Sequence, residues 1–172
     1  SLIPVNINKP TGTLTLSGDN SGATGGVTLT TGTLNINNAN ALGTGAFTIT
    51  AGTIDNSTAG SITNSGNNAI TIGGDFTFTG TKDLNLGTGA ITNAGSRTIT
   101  LNGTASTLTM GGLMTNTVGG TQTTTVNGAG NTFSLGSYAL ANSGTSRTGV
   151  FAGTGNVTVT GIISNGSTAT AS

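Results

Sequence analysis

The sequence predicts an all-β fold, a right-handed parallel β-helix (β-solenoid) of about eight coils with roughly twenty residues in each. Three observations predict it: a repeat with a period of about twenty residues, short alternations of apolar and polar residues within each period, and turns rich in glycine and asparagine between them. We expect residues 1–172 to form a single solenoid segment, as part of a longer repeat array or as a subunit that stacks on copies of itself.

The repeat is clearest before residue 60. A Thr-Gly-Thr-Leu segment begins at Thr11 and again at Thr31, and Ala-Gly-Thr-Ile follows at Ala51. A second element, an alternation of apolar residues with threonine, begins at Val27 and again at Phe47. Beyond residue 60 the spacing loosens, but the same alternation returns at residues 70–72, 76–79, 84–86, 99–101, 108–110, 133–135 and 157–159.

Each alternation has the period of a half-buried strand. In a β-solenoid such a strand pairs with the equivalent strand of the next coil, about 4.8 Å away, and its apolar residues point into the coil. We therefore expect inward side chains at Leu14, Leu34, Ile54, Ile72 and Phe78, and outward ones at Thr15, Thr28 and Thr48. An antiparallel sandwich is the alternative, but it offers no reason for a twenty-residue repeat.

The composition excludes several classes of function. The chain has no Cys, His or Trp, and only 5% of its residues are charged, with zero net charge. A nucleophilic triad of the usual kind and a thiolate metal site are therefore excluded, and no basic patch is present to neutralise nucleic-acid phosphates. No apolar run approaches the ~20 residues of a membrane helix. We expect no enzymatic activity, no cofactor, no metal, no nucleic-acid partner and no membrane insertion by this segment.

Two alternative roles for the few charged residues are a carbohydrate-cleaving site and a calcium site. Asp75 and Asp83 are the only carboxylates close in sequence, and Lys82 adjoins the second. Calcium-binding nonapeptides need a different spacing from the Gly-Gly-Asp that ends at Asp75. We expect Asp75, Asp83, Arg97 and Arg147 to be exposed, solvated charges without a catalytic role.

Threonine triplets of the form Thr-x-Thr raise a second possibility, an ice-binding surface. A flat array of stacked threonines would give the regular surface that such proteins use. The triplets are unevenly spaced, so we expect them to fall on different faces and to reflect the suitability of threonine for exposed strands. They begin at Thr13, Thr28, Thr48, Thr77, Thr98, Thr107 and Thr158.

The amino-acid sequence of the repeat resembles that of a known family. Residues 11–18, TGTLTLSG, followed by residues 25–34, GGVTLTTGTL, are similar to the autotransporter-associated β-strand repeat. Residues 73–80 and 153–161 follow the same sequence pattern, and the resemblance covers most of residues 11–165. It implies a bacterial passenger-type β-helix outside the cell. The sequence departs from the family at the turn after Gly18, where residues 19–21 lack the family's aromatic residue.

These observations predict an extracellular or cell-surface structural protein that forms a stalk, coat or filament, with an adhesive role toward surface glycans or other cells as an extension. Neither end of the sequence resembles a polar cap: residues 1–8 read as an apolar strand, and residues 166–172 are small and polar. Because uncapped sheet edges invite further strands, we expect the partner to be another copy or another repeat, stacked end to end. A carbohydrate-active β-helix enzyme is the remaining alternative.

Overall fold

A computed structural model describes residues 3–140 and 147–165 of the chain. Over these residues every regular element is a β-strand, and the strands stack in parallel as a β-solenoid of about seven turns. The described part contains no helix that could cross a membrane. The strands are β1 (Val5–Leu16), β2 (Val27–Ile36), β3 (Phe47–Ile49), β4 (Thr53–Asp55), β5 (Ile62–Thr63), β6 (Ile70–Ile72), β7 (Phe76–Phe78), β8 (Leu84–Asn85), β9 (Ile91–Asn93), β10 (Arg97–Leu101), β11 (Thr107–Asn116), β12 (Gly120–Asn127), β13 (Thr132–Leu140), β14 (Arg147–Ala152), β15 (Asn156–Val159) and β16 (Ile163–Ser164).

The paired strands stack in three columns, and each column forms one face of the solenoid. The long strands bend at corners, so each of them contributes to two columns. Face A consists of residues 5–8, residues 27–30, β3, β6, β9, residues 113–116, residues 137–140 and β16. Face B consists of residues 13–16, residues 33–36, β4, β7, β10, β12 and β14. Face C consists of β5, β8, residues 107–110, residues 132–135 and β15.

The number of residues per turn varies along the chain and is largest in the last turns. Thr33 pairs with Thr53, twenty residues on, as the repeat predicts. Further along, Phe47 pairs with Ile70, and Thr124 pairs with Phe151. These later turns therefore use 23 and 27 residues, since additional residues enter at the corners. The chain consequently completes about seven turns instead of the eight predicted.

The inward positions are those that the alternation predicts. Leu34, Ile54, Ile72 and Phe78 are fully buried, while Leu14, in the first described turn, packs against the same core and is only half-buried. Thr15 is exposed, and Thr28 and Thr48 are outward residues partly shielded by their stacked neighbours. Because each apolar side chain lies on its equivalent in the next turn, the core is a set of continuous apolar rows.

Glycine permits the close stacking of corners, as at the turn between faces A and B. Gly32 and Gly52 both have positive φ, 91° and 96°. A Cβ atom on Gly52 would lie 2.6 Å from the Gly32 carbonyl oxygen of the preceding turn. Both the dihedral angle and the short distance therefore require glycine at these corners.

Candidate functional site

A ladder of five threonines runs down the outside of face A. Each member is the register partner of the next one, and the strands stack about 4.8 Å apart. None of the five hydroxyl groups has a hydrogen-bond partner within the described ranges 3–140 and 147–165, so each is free to bind a ligand or solvent. The face A ladder consists of Thr28, Thr48, Thr71, Thr92 and Thr115.

The residues beside the face A ladder are small. One flanking row contains Ala46, Ala69 and Ala90, whose carbonyl oxygens accept hydrogen bonds from backbone N–H groups of the preceding turn. The other flanking row contains Thr50 and Gly73, whose backbone N–H groups bond to the preceding turn. Only small residues and threonine stand beside the first four rungs, so this part of face A is a flat surface of methyl and hydroxyl groups. Leu113, which is 45% exposed, stands beside the fifth rung, Thr115.

A second ladder of five threonines runs down face B, again with each residue paired with the next. Its surroundings are more polar than those of the face A ladder. Asn35 and Asp55 lie on the neighbouring row, and Asp75 precedes β7 beside it. The face B ladder consists of Thr13, Thr33, Thr53, Thr77 and Thr100, and Asn127 follows it.

The Thr-x-Thr triplets are distributed over all three faces, as we expected from their uneven spacing. Those that begin at Thr28 and Thr48 lie on face A, and those that begin at Thr13, Thr77 and Thr98 lie on face B. The triplets that begin at Thr107 and Thr158 lie on face C. A triplet therefore does not mark the regular surface. The regular surface is marked by the central threonine of faces A and B, because this threonine repeats in every turn of its ladder.

The carboxylates are separated and serve as backbone caps. Asp75 Oδ1 accepts a hydrogen bond of 2.8 Å from Thr98 N–H, and Asp83 Oδ1 accepts one of 2.8 Å from Thr107 N–H. The two aspartates are exposed, as predicted, and they stand at different corners, immediately before β7 and β8. No group of three His, Cys, Asp or Glu residues that could hold a metal ion occurs among the described residues.

Arg97 and Arg147 are not the fully exposed charges that we predicted. Both are half-buried, since their guanidinium groups fold against backbone carbonyls at the corner between faces A and B. Arg97 Nη1 donates to the Ser96 carbonyl oxygen at 2.8 Å, and Arg147 Nη1 donates to the Val118 carbonyl oxygen at 2.7 Å. These arginines therefore satisfy corner carbonyls, a role that the sequence does not indicate.

The first and last described turns expose apolar rows and strand edges. Among the described residues, β1 pairs only with β2, and β14, β15 and β16 each pair with a single strand. Val5 is 42% exposed, and Ile163, at the other end of the same inward row, is 66% exposed. The residues between them in that row are buried: Val27, Phe47, Ile70, Ile91, Met114 and Tyr138. The tail at residues 166–172, which we predicted to be no cap, lies outside the described residues, as do Ser1 and Leu2.

Comparison with known proteins found no matching family, no similar curated protein and no similar solved structure.

The sequence reasoning missed the two ladders, although a signal for them was present. Thr28 and Thr48 stand at the same place in the twenty-residue repeat, as do Thr33 and Thr53. Carrying these rows past residue 60 requires the register across turns of unequal length. The triplet pattern does not supply that register, because it reports neighbours along one strand and not across turns.

Proposed function

We propose that this chain is a segment of an extracellular structural β-solenoid that forms a surface stalk, coat or filament by continuing its stack end to end. The observation that carries the proposal is that the inward apolar rows are half-exposed on both edge turns. Leu14 and Leu16 at one end, and Val157 and Val159 at the other, are only partly buried against the core. Another turn of solenoid on either edge would bury these side chains and pair the strands beneath it.

The direction of the free backbone groups supports addition at the first turn. Val5 N–H donates to the Gly26 carbonyl oxygen of the next turn at 3.0 Å. Since N–H groups alternate in direction along a parallel strand, the N–H groups of Asn6 and Asn8 face the opposite edge, which pairs with no strand among residues 3–140 and 147–165. Contact between unlike ends is heterologous and does not close, so it generates a filament and not a ring.

The resemblance to the autotransporter-associated repeat supports an extracellular bacterial setting for this solenoid. The low charge and the capping role of the aspartates agree with a structural protein. An adhesive role toward glycans or other cells would use the long faces, which remain accessible when the ends are stacked.

End-to-end stacking is tested with a matched pair of variants. Val5→Asp places a charge on the edge turn, whereas Val118→Asp places it at a residue of similar exposure, 42% against 44%, at a corner away from either edge. We expect the natural chain to form concentration-dependent linear particles in sedimentation and negative-stain microscopy. Val5→Asp should abolish them because it buries an unpaired charge in each contact, and Val118→Asp should not. A natural chain that stays monomeric at high concentration, or equal effects of the two variants, contradicts the proposal.

The face A ladder favours ice binding as a second candidate function. Its five threonines repeat at about 4.8 Å, small residues and threonine border the first four rungs, and the hydroxyl groups of all five have no partner in the described structure. A surface of this kind can order water on a regular lattice, because no charged side chain beside it competes for the water molecules. The face B ladder is the weaker candidate because Asn35 and Asp55 lie next to it.

Thermal hysteresis tests this second function and identifies the face. Thr71→Lys interrupts the middle of the face A ladder, and Thr77→Lys makes the same change on the face B ladder, where the threonine is equally half-buried. An ice-binding face A predicts that Thr71→Lys loses hysteresis and ice shaping while Thr77→Lys keeps both. The absence of hysteresis in the natural protein excludes this function and leaves the stacking proposal untouched.

A further inference from the structure

The corner between faces A and B widens with each turn in the second half of the solenoid. The inward residue that ends face A and the inward residue that begins face B are Ile72 and Phe76 in one turn. Their register equivalents are Asn93 and Ile99 in the next turn, and Asn116 and Val126 in the turn after that. The chain between these two rows therefore lengthens from one turn to the next.

Polar side chains occupy the inward positions of this widened corner. Arg97 and Thr124 are register partners on adjacent turns, and Thr124 alternates with the buried Val126 on the inner side of β12. Gln122 precedes Thr124 by two residues on the same side. Thr124 is 0% and Gln122 is 5% exposed, so neither side chain reaches bulk solvent. These positions break the otherwise apolar rows of the core.

A chain of hydrogen bonds lies at the same corner. Asn93 Nδ2 donates to Asn116 Oδ1 at 2.8 Å, and Asn116 Nδ2 donates to the Tyr138 hydroxyl at 2.6 Å. Gly149, the register partner of Gln122, lies directly against the Tyr138 hydroxyl, where a Cβ atom would collide with it. The asparagine and tyrosine groups are thereby brought next to the glutamine.

Four of the five buried side-chain atoms that lack a hydrogen-bond partner among the described residues belong to this corner. They are Asn93 Oδ1, Arg97 Nε, Gln122 Oε1 and Thr124 Oγ1. Leaving so many groups unpaired in one place would be costly, because each buried unsatisfied group destabilises the fold. The set contains two acceptors, one donor and one hydroxyl that can do either.

We propose that the widened corner is a buried hydration site, in which ordered water molecules join Asn93 Oδ1, Gln122 Oε1, Thr124 Oγ1 and Arg97 Nε. Water fits this set because it both donates and accepts, and buried waters typically make about three hydrogen bonds to polar groups of this kind. A cation would leave the Arg97 donor unpaired and place two positive charges together. An anion would face two carbonyl oxygens.

A pair of threonine substitutions on one strand tests the site. Thr124→Val keeps the shape of the side chain and removes the hydroxyl, and Thr125→Val makes the same change at the neighbouring outward position. If water is hydrogen-bonded to the Thr124 hydroxyl, loss of this hydroxyl in Thr124→Val should lower the Tm by about 2–8 °C, while Thr125→Val should leave the Tm nearly unchanged. If the hydroxyl is unpaired, Thr124→Val should leave the Tm equal or raise it, which overturns the proposal.

Water-detected NMR on the natural protein gives a result that does not depend on a variant folding. Long-lived buried water should show nuclear Overhauser effects to the Thr124 methyl group and to the ring protons of Tyr138, the only tyrosine in the chain. The methyl group of Thr71 on outer face A serves as the control, since it contacts only fast-exchanging solvent. The same short-lived signal at Thr124 and Thr71 would contradict a buried site.

Discussion

A single buried side chain in this fold is surrounded by its own equivalents in the turns above and below. Leu34 lies between Leu14 and Ile54 and is 0% exposed. A defect at this position is therefore transmitted to two neighbouring turns. In a globular core the same defect would be absorbed by unrelated neighbours.

We predict that Leu34→Asp unfolds several turns. The carboxylate would be buried without a partner, at a cost of about 3–5 kcal/mol on top of the lost apolar contacts. Chemical denaturation followed by circular dichroism measures the change. Leu113→Asp, at an outward residue that is 45% exposed, is the control and should cost little. An unchanged midpoint for Leu34→Asp would show that the inward assignment is wrong.

Tyr138 gives the protein a pH dependence at the alkaline end. Burial raises the pKa of the Tyr138 hydroxyl above its usual value, because the phenolate loses its hydration. Since the folded-state pKa is raised, the contribution of Tyr138 to stability is complete below about pH 10 and is lost as the pH rises through the folded-state pKa.

Spectrophotometric titration of the phenolate should therefore give a midpoint above that of free tyrosine, and the free energy of unfolding should fall with pH in the same range. Tyr138→Phe should have a smaller decline above pH 10, although its stability at neutral pH is lower because Asn116 loses its acceptor. A normal midpoint for Tyr138 would show that its hydroxyl is hydrated.

At the scale of the strand and its corners, side chains hold one turn to the next where the backbone ladder stops. Asp55, at the end of β4, is 5% exposed. Its Oδ1 accepts a hydrogen bond from Thr81 N–H at 3.0 Å, and its Oδ2 accepts one from the Thr81 hydroxyl at 2.6 Å. This aspartate extends the pairing of face B beyond the last strand residue.

Asp55→Ala should destabilise the protein by about 1–3 kcal/mol, because it leaves the Thr81 N–H without a partner at a partly buried corner. Asp19→Ala is the matched control. Asp19 is exposed and accepts a hydrogen bond of 2.9 Å from Ser21 N–H in its own loop, so its removal should change stability by about 0.5 kcal/mol or less. Equal effects of the two changes would mean that the Asp55 contacts with Thr81 contribute nothing.

The strands of the first three turns could be predicted from the sequence, whereas the later corners could not. From Thr13 to Asp55, the period of twenty residues directly gives the register on face B, as in the pairing of Leu34 with Ile54. Later turns gain residues at their corners, and an alternation of period two fits several registers equally well. Asn93 and Asn116 illustrate the difficulty. Their polarity predicts outward positions, but a mutual hydrogen bond keeps them inside.

At the scale of the whole molecule, each turn contacts only its neighbours, so stability is a sum of local terms along one axis. The central turns have partners on both sides. The described edge turns have a partner on one side.

Hydrogen exchange should therefore show a gradient, with the slowest amides in β4, β6 and β7 and faster exchange in β1 and β16. Addition of a stacking partner should protect β1 and β16 first. Uniform protection of all strands in the monomer would contradict this one-dimensional account.

The last turns of the solenoid are longer than its first turns, so the two ends differ and the solenoid has a direction. A copy placed end to end would set the narrow turn that joins Val5 to Val27, 22 residues apart, on the wide turn that joins Thr124 to Phe151, 27 residues apart. Each junction would then carry a ledge at the corner between faces A and B. A fibre of such units would have two axial periods: the strand spacing of about 4.8 Å and a longer one of about 34 Å, since seven turns each rise by the strand spacing. The long period would equal the axial length of one molecule, and the side on which the ledges project would show the polarity of the fibre.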